Sequence, residues 1–442
     1  MSTGGASTLQ VRDFSRFYTP LIATSLLLTA TNPLLAAALA RTSDPATALS
    51  GYGVAFALIG VLYAPLLVVQ QLAAARLLSA GDIAPVRRFA LVLGLILSGL
   101  AAAVAYTPLG VFVFRQIVGV QDAILDEALS AMTVLWPVPV LTGLRALHQG
   151  RLVAGHRTQP IAMATGSRTI VLAVVAFALT TTPAGAWLGA VAFTIGLAFE
   201  TVLVAFAPAS LPKFSEPVDR EDMEGDRLLS FSTPLMLNVV LWWSTPLIIN
   251  SVLARTPEPD CSIAAFTVVE AVAWFLAAPV GQLQHASLAL VDCRAAHRKV
   301  KLYAAFVAIS VTAFLAILSI PTIREAVLWT GFRLDPSLLE PAGLAFPVAA
   351  LYPALYGHRQ YHQGLFVRAG CTWLIGRGAV LRIVVILAAA PLLLGLMGAN
   401  GARLGVTLAV IGLIAEGAFL EVMSRREALP LLDSMSAVPE SA

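Results

Sequence analysis

Charge is what this chain has least of. Only 12% of its 442 residues are Asp, Glu, Lys or Arg, against 58% hydrophobic. Soluble globular domains carry about twice that charged share, and a mean hydropathy of +0.83 points instead to repeated crossing of a bilayer. Cysteine is almost absent: on the topology below Cys261 faces one side of the membrane and Cys293 and Cys371 the other, so no disulfide framework is expected. The net charge of +3 is dispersed without a lysine-arginine cluster, which excludes nucleic acid as a partner. The phosphate-binding glycine loop, the His-Glu-x-x-His pair and cysteine pairs at metal spacing are all missing, so the soluble enzyme classes go with them and no cofactor is expected. The polar start, with Arg12 and Arg16, has no small-residue cleavage site after a short apolar core, and no signal peptide is expected.

What is present is long apolar runs. Six fall at about 18–41, 50–74, 89–110, 128–149, 160–182 and 185–208, and six more at about 229–254, 262–287, 302–322, 337–361, 378–397 and 401–423. Each is long enough for a core of about 30 Å. The expected fold is therefore an all-α polytopic membrane protein of 12 transmembrane helices in two six-helix bundles, residues 1–208 and 229–442. The charged stretch from Lys213 to Arg227 lies in the linker, 209–228. With both termini inside, 20 of the 28 lysines and arginines fall on the inner side and 6 outside, Arg145 and Arg359 being the other two. The positive-inside rule then makes both termini cytoplasmic.

The halves repeat each other. Pro139-x-x-x-Gly143-x-Arg145-x-x-His148-Gln149-Gly150 returns 214 positions later as Pro353-x-x-x-Gly357-x-Arg359-x-x-His362-Gln363-Gly364. At the same offset Thr19-Pro20-Leu21 meets Thr233-Pro234-Leu235, Leu39-Ala40-Arg41 meets Leu253-Ala254-Arg255, Pro65 meets Pro279, Gln70 meets Gln284 and Arg168 meets Arg382. After a two-residue insertion, Leu188-Gly189-x5-Ile195-Gly196-Leu197-x-x-Glu200 meets Leu404-Gly405-x5-Ile411-Gly412-Leu413-x-x-Glu416. Six spans return the chain to its starting side, so the repeats are parallel, and repeat interfaces are where transporters bind substrate.

Ionisable groups inside spans are costly and usually turn toward a cavity or a partner. Arg145, His148 and Gln149, with Arg359, His362 and Gln363, are thus candidates for gripping an anion through the planar guanidinium fork. Each arginine also suits a plain interfacial reading, snorkelling near a helix end. Gln70, Gln71, Gln282, Gln284 and His285 either line an inner mouth or mark ordinary helix-end polarity. Glu270, whose repeat counterpart is Phe56, is the candidate for coupling to a proton or sodium ion, or else a hydrogen-bonded structural acid. Glu200 with Arg168, and Glu416 with Arg382, read as ion pairs within each bundle. Thr24, Ser25, Thr29, Thr31 and Asn32, and Asn238, Trp242, Trp243, Ser244 and Asn250, either wet a cleft or join helices. Pro65, Pro139, Pro279 and Pro353 mark breaks. A metal shared by His148 and His362 is not expected: no carboxylate or thiolate is near either in sequence, and the adjacent arginines would repel it.

Tyr52-Gly53 to Pro65, Leu229-Ser230-Phe231 with Pro234-Leu235, Val380-Leu381-Arg382-Ile383-Val384 through Gly398, Leu404-Gly405-Val406 and Glu416 resemble the progressive ankylosis protein family, a MATE-like branch of the multidrug/oligosaccharidyl-lipid/polysaccharide exporter superfamily. The resemblance implies a V-shaped twelve-helix transporter associated with release of pyrophosphate, nucleotide triphosphate and citrate. His148, Gly150, Arg359 and Gly364 match the family pattern; Arg145 and His362 depart from it. The expectation is a monomeric exporter of a small polyanion in the plasma membrane or a bacterial inner membrane, working by alternating access. The competitors are a proton- or sodium-coupled exporter of organic cations, a lipid-linked saccharide flippase, and a membrane enzyme on a phosphorylated lipid using histidine as acid or base.

Overall fold

The structure is a computed structural model that describes residues 29–80, 83–120, 122–155, 157, 159–182, 185–208, 225–291 and 294–436, with scattered positions between 14 and 27. Thr24, Cys293 and the linker from Lys213 to Glu224 lie outside the described residues. The first repeat supplies α1 (Thr31–Leu39), α2 (Pro45–Tyr63), α3 (Val69–Ala80), α4 (Ala84–Tyr106), α5 (Asp122–Leu135), α6 (Val138–Ala154), α7 (Gln159–Leu179) and α8 (Ala186–Phe206). The second follows with α9 (Gly225–Leu253), α10 (Pro259–Gly281), α11 (Leu283–Leu290), α12 (Arg294–Ile317), α13 (Pro336–Ala349), α14 (Tyr352–Arg368), α15 (Trp373–Met397) and α16 (Gly401–Met423). Among the described residues nine helices are long and apolar enough to span a membrane, or eleven spans if each of two bent pairs counts as one. A shorter apolar helix, Ser25–Leu39, stands at the first expected interval. Large apolar side chains face outward, among them Leu95, Ile170, Phe306 and Leu396, as a lipid-facing wall requires. The protein is an all-α polytopic membrane protein.

The duplicated sequence produces duplicated irregularities. The bent pairs α5–α6 and α13–α14 both turn by 42°. Pro139 and Pro353 sit in the first turn of α6 and α14, where a missing N–H costs nothing, so each proline starts a fresh helix instead of extending the last. Pro65 opens a short 3-10 stretch, Ala64–Val68, between α2 and α3, and Pro279 precedes the break between α10 and α11. A π-helical turn at Phe112–Val118 recurs at Ala326–Phe332, at the 214-residue offset. Gly119 ends the first of these at φ 94, and its counterpart Arg333 adopts φ 52.

Those π-turns explain the duplicated Leu-Ala-Arg triplet. Arg41 donates to the carbonyls of Phe332 and Gly331 at 3.0 and 2.8 Å, and Arg255 donates to Val118 at 3.0 Å. Each repeat's arginine thus closes the carbonyl end of the other repeat's π-turn.

Two compact units result. One comprises Leu34–Thr267 with Gly331–Leu338; the other comprises Met1–Pro33, Val268–Thr330 and Leu339–Ala442. They do not follow the expected division at 208 and 229, because the halves exchange their opening segments. In the first unit α9 lies on α2: the Trp243 ring occupies the space a side chain on Gly60 would need, and Asn250 donates to the Gly53 carbonyl at 3.2 Å. In the second, Tyr18 donates to the Pro279 carbonyl at 2.5 Å and Phe14 packs on Tyr303.

Candidate functional site

The repeated Pro-x-x-x-Gly-x-Arg-x-x-His-Gln-Gly motif lies on α6 and α14, and its glycines decide how those helices pack. A Cβ on Gly150 would stand 2.5 Å from the Gln70 carbonyl oxygen and 2.6 Å from Ala73. One on Gly364 would strike Ser287 Oγ and the Gln284 carbonyl. Only glycine lets α6 press against α3, and α14 against α11, at these heights. Gln70 and Gln284 are therefore partners of that packing through their backbones. Both side chains are half-buried, and His285 is exposed.

Close packing buries an ionic cluster in each repeat. In the first, Glu200 of α8 is fully buried and accepts from Arg145 at 3.3 Å, Gln149 at 3.1 Å, Thr165 at 2.8 Å and Arg168 at 3.1 Å. In the second, Glu416 of α16 accepts from Arg359 at 2.7 Å and Arg382 at 2.5 Å. Gly196 and Gly412 leave room for the arginine stems, since a Cβ there would come within 3.4 and 2.9 Å of Arg168 Cγ and Arg382 Cγ. The Arg168 guanidinium also lies 5.2 Å from the centre of the Phe193 ring. The pairings of Arg168 with Glu200 and of Arg382 with Glu416 are those expected from the sequence.

Arg145 and Arg359 are placed differently from expectation. Each is the third member of a cluster in which two arginines share one carboxylate. Arg145 shares its acceptor with Gln149, four residues on along the same helix face, and not with His148. His148 is half-buried. In the second repeat Arg359 also reaches Gln360 at 2.9 Å, whose amide donates to the Gly281 carbonyl at 3.3 Å, at the end of α10. The Gln363 amide nitrogen is buried and has no hydrogen-bond partner among the described residues. His362 turns to Ser424, with Nδ1 at 2.8 Å from its hydroxyl.

Glu270 lies on α10 and makes no ion pair among the described residues. Tyr352 of α14 interacts electrostatically with Glu270, Arg359 and Arg382, which places all four in one neighbourhood of the second unit. Tyr352 stacks on Tyr356, and Trp274 meets Tyr352 edge-on and Tyr356 at a tilt. The small polar residues mostly bond their own helices: Ser25 to Ile22, Thr29 to Ser25, and Ser244 to Val240.

No protein-family model matches the chain, and no curated protein matches its sequence. Solved structures do. A multidrug resistance MATE family transporter of the MOP superfamily, in an inward-facing conformation, superposes with TM-score 0.71 at 17% identity, over 92% of this chain and 96% of that one. The fold is that of the MATE transporters. The MATE multidrug transporter DinF-BH, solved as a complex, gives 0.66 at 16% identity, over 97% and 98%. A MOP superfamily transporter from Pyrococcus furiosus, reported with a binding pocket of reverse polarity suggesting a different function, gives 0.62 at 14%, over 95% and 96%.

One cluster escaped the sequence reading. His358 Nε2 stands 3.5 Å from Glu421 Oε2, the His358 and His362 rings are 4.5 Å apart, and Lys301 lies 3.1 Å from Glu421 Oε1. The legible signal was the spacing of His358 and His362, four residues apart on one helix face; the carboxylate comes from α16, about sixty residues on.

Proposed function

We propose that the protein is a membrane transporter that moves a small polyanion by alternating access between its two repeats. The observation that carries this reading is the first cluster, in which Arg145 and Arg168 share the one carboxylate of Glu200. Inside a bilayer an uncompensated cation is expensive, and an anionic cargo supplies the missing charge. Pyrophosphate, citrate and nucleotide-like anions are the class implied by the resemblance to the progressive ankylosis family, and they suit the guanidinium fork. The MATE-like fold supports the transport mechanism, and the matched 42° bends give each repeat a hinge at the same point of its sequence. The MOP transporter with a reversed pocket polarity is a precedent for a change of cargo charge within this fold. The termini are read as cytoplasmic from the distribution of arginine and lysine.

Glu270 favours a second reading, export of an organic cation in exchange for protons or sodium, because an acid without an arginine partner in a span suits a cationic cargo or a coupling ion. Uptake into inside-out proteoliposomes separates the two. With labelled pyrophosphate, citrate, ATP and an organic cation, anion uptake by the wild type is expected to fall at least tenfold in Arg145→Gln, whose side chain is the most exposed of the four cluster arginines. Uptake of the cation alone, insensitive to Arg145→Gln and abolished by Glu270→Gln, would replace the first reading with the second.

A further inference from the structure

We propose that His358, His362 and Glu421 form a binding site for one transition-metal dication, zinc by preference, joining α14 to α16 in the second repeat. The three ligand atoms lie within 4.8 Å of one another. His358 and His362 are one turn apart on α14, so their rings project from the same face. Glu421 enters from the last turn of α16.

The protons decide what His362 can do. Ser424 Oγ donates to the Glu421 carbonyl at 2.9 Å, which commits the only hydroxyl proton. With the hydroxyl proton on that carbonyl, the 2.8 Å contact between Ser424 Oγ and His362 Nδ1 is a hydrogen bond donated by the ring. Nε2 of the neutral imidazole is left with its lone pair. That atom is buried and finds no hydrogen-bond donor among the described residues. An imidazole with one ring nitrogen held by a hydroxyl and the other left with its lone pair, one helical turn from a second histidine, is the arrangement in which metal-binding histidines are oriented.

Two imidazoles and one carboxylate suit zinc, whereas magnesium and calcium favour oxygen-only sets. A tetrahedral zinc with bonds of about 2.0–2.1 Å spaces its ligands by about 3.4 Å. His362 is fixed by burial, and the set closes by rotation of His358 and Glu421, whose side chains are 31% and 28% exposed. A fourth position stays open for water.

The opposing charges are Lys301 and Arg425, which both contact Oε1 of Glu421 and leave Oε2 toward His358. Both are solvated enough to withdraw, with side chains 38% and 68% exposed. The site also breaks the repeat: the counterparts of His358, His362 and Glu421 are Leu144, His148 and Ala205. It therefore owes nothing to the symmetry that explains the arginine clusters, and it is independent of the cargo proposed above.

The test is a titration of the purified full-length protein in detergent, its affinity tag removed, with Co²⁺ followed by visible absorption and then displaced with Zn²⁺. One equivalent with tetrahedral absorption is expected. It is expected to be lost in His362→Ala and Glu421→Gln and kept in His297→Ala and Cys371→Ala. Ser424→Ala, which removes only the group orienting His362, is expected to weaken zinc about 10–100-fold. Zinc should raise the melting temperature of the wild type and not of His362→Ala. If His362→Ala does not fold to a monodisperse species, His358→Ala replaces it. No stoichiometric binding, or binding unchanged in His362→Ala or its replacement and in Glu421→Gln, would overturn the proposal. Neither readout involves transport, so the site stands or falls apart from the cargo.

Discussion

The Glu200 and Glu416 clusters occupy equivalent places in the two repeats and are completed differently. Around Glu200 the two arginines are joined by Thr165 and Gln149, so both carboxylate oxygens have a neutral donor or a second cation. Around Glu416 the counterpart of Thr165 is Ala379, fully buried, and the Gln363 amide nitrogen has no hydrogen-bond partner among the described residues. That carboxylate is bonded by Arg359 and Arg382, which are themselves 5% and 1% exposed, against 15% and 11% for Arg145 and Arg168. The first cluster is a polar network with some access for water; the second is a dry ion triad. A shared sequence register has thus fixed the position of the charges without fixing how they are satisfied.

The sharpest way to break this comparison is to remove the carboxylates. Breaking a buried ion pair by deleting one partner costs about 3–5 kcal/mol, because the remaining charge is stranded. Glu416→Gln is expected at the upper end of that range, since two buried guanidinium groups lose the carboxylate they share. Glu200→Gln should cost less, because a glutamine oxygen still accepts from Thr165 and the arginines can hydrate. Thermal unfolding in detergent measures both. A larger loss for Glu200→Gln would mean that the dry triad is not the more dependent of the two.

A smaller effect is expected at the helix contacts beneath the clusters. Gly150→Ala and Gly364→Ala each insert a methyl group against backbone, and overpacking of this kind costs about 1–3 kcal/mol. Gly364 should be the worse of the pair, because its Cβ meets both Ser287 Oγ and the Gln284 carbonyl, nearer than anything Gly150 would meet. The same unfolding measurement checks the order; equal losses would show that α11 yields more readily than α3.

Much of this architecture was legible because periodicity and register are properties of the line. The apolar intervals anticipated the helices, and the 214-residue offset carried over to the matched bends and π-turns. Azimuth was harder. One residue turns a helix by about 100°, so a motif containing Arg145, His148 and Gln149 leaves open which of them shares a partner. The pairing of Glu200 with Arg168 could be read from two matched copies, but the arrival of Arg145 at the same carboxylate could not. Nor could Glu421 be linked to His358, or Arg41 to the Phe332 carbonyl, since neither partner has a neighbour in sequence that announces it. The exchanged opening segments were missed for the same reason: they depend on Trp243 fitting over Gly60 and on Asn250 reaching Gly53, contacts across nearly two hundred residues.

The two glutamines of the repeated motif give the smallest and cleanest comparison. They are identical in sequence and equally buried, at 6% and 4% exposure, yet Gln149 donates to Glu200 and the Gln363 amide nitrogen donates to nothing described. A hydrogen bond to a charged acceptor is worth about 1.5–3 kcal/mol, whereas an unmatched buried amide is a cost that an apolar replacement of similar volume removes. Gln149→Leu is therefore expected to lower stability by about 2 kcal/mol, and Gln363→Leu to leave it within about 0.5 kcal/mol of the wild type or raise it slightly. Equal destabilisation by both would mean that Gln363 bonds to Glu416 after all. The two clusters would then be alike, and the asymmetry would have to be sought in Ala379 and Thr165 alone.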